Sequence, residues 1–171
     1  PGCDTAPRGS PQPMVSGSGI VHYAYTVHGA GADSSDIYYQ RSTDGGLTWS
    51  APLRVNDPDP NDQFQPWVAT GPGGAVAVAF YDRRQACPTA DPSVSPGSRG
   101  RENVCIDVTL QAFKDSGAGA VRVGGNVRFT TFTWDPEQPV QTIDGLDQMA
   151  CAAHENPCTT RAFIGDYFGL A

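Results

Sequence analysis

Basic residues are scarce in this chain. Lys114 is its only lysine, and 11 Lys and Arg stand against 18 Asp and Glu, a formal net charge of −7. A nucleic-acid binder needs a basic face to displace phosphate counterions, so this balance argues against that partner class. Long apolar runs are also missing, and none is long enough to span a bilayer. No secretory leader is visible, though a mature or trimmed chain would have lost one. Several catalytic signatures are absent as well: no nucleophile-elbow serine, no His-Glu-x-x-His and no phosphate loop.

What is present is turn chemistry between short β-forming runs. The chain holds 20 Gly and 15 Pro. Residues 42–49 read Ser-Thr-Asp-Gly-Gly-Leu-Thr-Trp. Ile37 and Tyr39 lead in and Leu53-Arg54-Val55 leads out, the strand–turn–strand grammar of a hairpin. Gly45 and Gly46 suit positions of positive φ. The Asp44 carboxylate can accept backbone N–H groups across the turn, with Ser42 and Thr48 bonding locally. Trp49 is expected to pack under the hairpin and anchor it. A calcium or acid role for Asp44 is the lesser reading beside a turn whose polar groups answer one another.

A worn copy of this pattern follows. One constant offset lays Asp36-Ile37-Tyr38-Tyr39-Gln40 on Asp107-Val108-Thr109-Leu110-Gln111, Asp44 on Asp115 and Gly46 on Gly117. Ser42, Thr48 and Trp49 fall on Phe113, Gly119 and Ala120, so the second copy is degenerate. Upstream, Gly19–Tyr25 matches Gly74–Phe80. Repeated small antiparallel sheets with variable loops are the behaviour of propeller blades.

The octet fits Ser-x-Asp-x-Gly-x-Thr-Trp, the Asp-box, and the chain resembles bacterial BNR-repeat proteins of the sialidase (exo-alpha-sialidase-like) superfamily. The runs Asp62–Ala69 and Phe163–Leu170 are similar to inner-strand openings of that family. The resemblance implies an all-β, sialidase-type β-propeller, six-bladed when complete, of which this chain covers about two blades. Residues 15–56 are then a partial blade with the Asp-box, 63–133 a full blade with the degenerate box, and 163–171 the start of a further blade. Strands are expected at 19–26, 36–42 and 49–55, then at 65–70, 74–82, 105–112 and 126–133. A chain of this length is too short for a whole propeller, so it reads as an excerpt of a longer protein. A small protein that completes its ring by oligomerising is the alternative.

Five cysteines in a Gly- and Pro-rich, all-β chain suggest an oxidising compartment, extracellular or at the cell surface. Cys87 with Cys105 and Cys151 with Cys158 are the expected pairs, each stapling one loop, and Cys3 is left over. Zinc held by Cys151, His154 and Cys158 is the lesser alternative.

Propeller topology would place the Asp-box turn on one rim and the long segments 56–64, 83–104 and 131–162 on the other. In sialidases that other rim carries the active site. There Tyr81, Arg83 and Arg84 are weak catalytic candidates, because guanidinium forks hold carboxylates and sialidases use three arginines and a tyrosine nucleophile. Adjacent strand residues face opposite ways, however, so Arg83 and Arg84 cannot both reach one ligand from a regular strand. Asp166, opening an inner strand, is a further weak candidate. Asp57, Asp59 and Asp62 form an acidic loop for which calcium is the candidate ion, against a default of a solvated loop. His22, in a strand, reads as a packed residue. No Arg-Ile-Pro motif and no complete arginine triad are present. The leading expectation is an extracellular, non-catalytic module that binds a glycan or protein partner through the stapled loops and packs against the remainder of its own propeller. An exo-sialidase whose other catalytic residues lie outside this chain is the alternative, and a structural surface or appendage protein the third.

Overall fold

Alternation of side chains explains the two sheets. In Asp36–Ser42 the odd residues Ile37, Tyr39 and Arg41 are buried, while Tyr38 and Gln40 on the opposite face are half-buried. The computed structural model describes residues 12–28, 35–136, 141–143 and 146–148. Four strands form the first sheet: β1 (Gln12–Val15), β2 (Val21–Val27), β3 (Asp36–Ser42) and β4 (Leu53–Arg54). Four more form the second: β5 (Gln63–Gly71), β6 (Ala75–Asp82), β7 (Asp107–Asp115) and β8 (Ala120–Arg128). Both are antiparallel meanders in sequential order. A two-stranded ribbon, β9 (Gln141–Ile143) with β10 (Leu146–Gln148), follows. The described residues are all-β apart from one 3-10 turn at Pro72–Gly74. This is the architecture of consecutive propeller blades.

The two sheets pack face to face. Ala24, Ile37, Tyr39 and Val55 of the first meet Val68, Val76, Val78, Phe80 and Phe113 of the second in one core. Tyr39 stacks on Phe113 with ring centroids 5.0 Å apart. At about 25 cal/mol per Å² of apolar surface removed from water, these side chains are what hold the sheets together.

Several expected boundaries shift. The first sheet is four-stranded, not partial, because Gln12–Val15 supplies a strand at its edge. Pro13 hides that strand in the sequence, yet an edge position needs no N–H there. The strand expected at 49–55 shortens to Leu53–Arg54, since Trp49, Ser50 and Ala51 lie outside the ladder. The strand expected at 126–133 runs instead over Ala120–Arg128, starting directly after the β7–β8 turn. β5 begins earlier than expected and carries an irregularity between Phe64 and Trp67, where Gln65 takes φ +51° just before Pro66.

Candidate functional site

Two rims result from the meanders. One carries the hairpin turns, including the Ser42–Trp49 turn and its worn copy at 113–120. The other carries the segments 55–62, 83–106 and 129–136.

On the first rim Asp44 is the hub of the turn. Its Oδ1 accepts from Ser42 Oγ at 2.7 Å and from the Thr48 N–H at 2.9 Å, and its Oδ2 accepts from Thr48 Oγ1 at 2.6 Å. Ser42 Oγ in turn accepts the Gly46 N–H at 2.8 Å. Gly45 and Gly46 both have positive φ. The Thr48 hydroxyl and N–H, then Ser42, bring the Asp44 carboxyl down to about 2. The geometry is that of a turn closed on itself. Trp49 corrects the expected anchor: it is 41% exposed and lies against Tyr23, centroids 5.5 Å apart, at the surface of the sheet.

The worn copy of the turn is wired differently. Asp115 lacks the Ser and Thr partners, and its Oδ2 instead accepts Arg41 Nε of the first sheet at 2.5 Å. Arg41 Nη2 also donates to Gly117 O at 2.8 Å, and the Gly117 N–H donates to Asp115 Oδ1 at 2.8 Å. Both charged side chains are buried, at 9% and 2% exposure. Loss of the local hydroxyls thus leaves the second carboxylate to join the two sheets.

The opposite rim is woven from three segments. Cys87 and Cys105 form a disulfide across the β6–β7 connection. With Val94 and Val104 they make a small buried cluster of their own. The Ser95 N–H donates to Asp135 Oδ2 at 2.8 Å, and Ile106 and Trp134 exchange backbone bonds of 2.7 and 2.9 Å. Asn103 ties the stapled loop to the β4–β5 segment, accepting the Asp62 N–H at 2.9 Å and donating to Asp62 Oδ2 at 3.1 Å. Phe129 and Phe132 project from this rim, 71% and 67% exposed.

The three acidic calcium candidates do not converge. Asp57 accepts from Arg122 and from the Asn126 N–H on β8. Burial alone would raise its carboxyl, but the Asn126 N–H and the Arg122 guanidinium together carry it below the usual range. Asp59 accepts the Asn61 N–H within its own loop, and Asp62 faces Asn103 and Arg83. Among the described residues no three His, Cys, Asp or Glu side chains are grouped as metal ligands. The three candidate carboxylates thus each have separate partners.

The arginine candidates, just past the end of β6, diverge. Arg83 lies over the Phe64 ring, 5.1 Å from its centroid, with Nη1 3.8 Å from Asp62. Arg84 turns the other way, with Nε 2.5 Å from Asp82 Oδ2 and Nη2 donating to Asn126 Oδ1 at 2.9 Å. Tyr81 packs on Phe64 at 5.5 Å, and burial pushes its phenol up rather than activating it. Asp166, Cys3, Cys151, His154, Cys158 and the run 163–171 lie outside the described residues. Sequence reasoning missed the polar seam between the sheets. There the buried side chains of Asn56 and Gln63 bond each other, and Asn126 donates to Gln111 Oε1 at 2.8 Å. In a string of letters a lone Asn or Gln, in a loop or in a strand, does not show which partner it meets.

No protein-family profile matches the chain, and no curated protein matches it. Among solved structures it is similar to the PL25 polysaccharide lyase ulvan lyase and to the same lyase bound to -[GlcA(1-4)Rha3S]-. Each match has 20% identity and a TM-score of 0.43, and covers 67% of this chain. The chain spans 27% of the length of those structures.

Proposed function

We propose that this chain is an extracellular, sialidase-like β-propeller module that binds a glycan or protein partner through its stapled rim, without catalysis. The observation that carries the reading is the weaving of three long segments into one fixed surface, with the Cys87–Cys105 disulfide at its centre. Loops held on a rigid sheet scaffold are where binding surfaces are commonly built. Exposed Phe129 and Phe132 give that rim apolar surface of the kind that sugar C–H faces or protein side chains cover. Engagement of Arg83 and Arg84 by neighbouring groups, and a Tyr81 phenol raised by burial, support the non-catalytic form. The disulfide supports an oxidising location. No helix among the described residues is long and apolar enough to cross a membrane.

The test is retention on an immobilised panel of sialylated, uronic-acid and neutral oligosaccharides, alongside release of sialic acid from sialyllactose. Retention that is lost in Phe132→Ala, with no sialic acid released, is the expected result. Turnover of sialyllactose would replace this reading with the exo-sialidase. Failure to bind every glycan class would remove the glycan arm.

A further inference from the structure

A groove of about 440 Å³ opens on the Asp-box rim, between the two sheets and away from the stapled loops. Its walls are the β1–β2 turn, the β5–β6 turn and the start of the β7–β8 turn. The second wall is pressed hard against the third. A Cβ on Gly74, whose φ is +80°, would lie 2.0 Å from the Asp115 carbonyl oxygen. This volume falls within the range of small-molecule sites, roughly 300–1,000 Å³.

His22 lines the groove although the residue is only 1% exposed. Its Nδ1 is 2.7 Å from the hydroxyl of Tyr39, which is fully buried. Nε2 has no hydrogen-bond partner among the described residues. The phenol has no other acceptor there, so its O–H donates to Nδ1. Burial lowers the imidazole below its ordinary 6.5, so the ring is neutral at pH 7 and its one proton sits on Nε2. Nε2 is thus an N–H donor at the groove lining that meets no protein acceptor among the described residues.

The rest of the lining selects that partner. Ser16 and Ser18 place two hydroxyls 2.9 Å apart on one wall. Ile20 and Val76 supply apolar surface. Asp115 is the one charged residue of the lining, and it is already paired with Arg41 and bonded by the Gly117 N–H. The lining therefore offers no unpaired side-chain charge to an anion or a cation. The geometry points to a second binding site, for a small neutral polyhydroxylated ligand such as a monosaccharide or polyol. An oxygen of the ligand accepts from His22 Nε2, its hydroxyls meet Ser16 and Ser18, and its C–H face lies on Ile20 and Val76.

The test is a nitrogen-15 NMR titration of the His22 ring with D-glucose, D-galactose and glycerol, and with D-glucuronate as the charged counterpart of glucose. A saturable shift at Nε2 with at least one neutral ligand is expected, with affinity on the order of 1 mM and glucuronate weaker by about tenfold or more. Ser18→Trp, at an exposed turn position, should fill the mouth and abolish the shift while leaving the thermal midpoint in place. An Nε2 signal that no neutral ligand moves, a stronger response to glucuronate, or a shift that survives Ser18→Trp would each overturn the site. Binding at the stapled rim is scored separately through Phe132, so either site can fail without the other.

Discussion

Asp44 shows how a single residue can be both readable and silent about activity. Its carboxyl stands at about 2 because Thr48 and Ser42 bond the ionised form. A depressed carboxyl contributes stability that is fully present above its unfolded value of 3.8 and is lost as pH falls through about 2. The turn should therefore keep its hydrogen bonds at pH 3, where ordinary aspartates are mostly protonated. An NMR titration of Asp44 that gave an ordinary midpoint near 3.8 would remove the cage described for this turn. The octet made this hairpin legible because each letter answers a local demand, either positive φ or a side-chain acceptor. Trp49 was misread for the opposite reason. How deep an indole sits depends on the sheet beside it, here Tyr23, and no local pattern carries that.

Elements were legible where alternation was clean, as in Asp36–Ser42, whose bounds match the expectation. They were less so where ladder and hydrophobicity part company. Val121, Val123 and Val127 are exposed on β8, so that strand is held by pairing with β7 rather than by burial. The stapled loop is the reverse case, an irregular segment with a core of its own around Cys87, Val94 and Cys105. A cross-link with a sequence separation of 18 constrains the unfolded chain by about 3 kcal/mol. Replacing both cysteines by serine should lower stability by about that amount. Amide exchange should accelerate first within residues 87–105, because most bonds there close inside the loop. Equal acceleration throughout β2 and β3 would show instead that the staple supports the whole fold.

At the scale of the molecule the question is what makes two four-stranded sheets behave as one body. The apolar core supplies most of the attraction, but it is non-directional and does not fix how one sheet sits on the other. The Arg41–Asp115 pair does have direction: a guanidinium from β3 meets a carboxylate at the end of β7 and a carbonyl in the turn beyond it. Neither charge has ready access to water, so removing one strands the other. Arg41→Ala should cost about 3–5 kcal/mol, whereas Arg41→Met combined with Asp115→Leu should cost much less, since no buried charge then remains unpaired. If the pair also sets the docking, the single variant should unfold in urea with a reduced slope as the sheets begin to open independently, and the double variant should keep the wild-type slope. A single-variant cost below about 1 kcal/mol would place the ion pair among weak surface bridges, and the apolar core alone would then have to account for the register between the sheets.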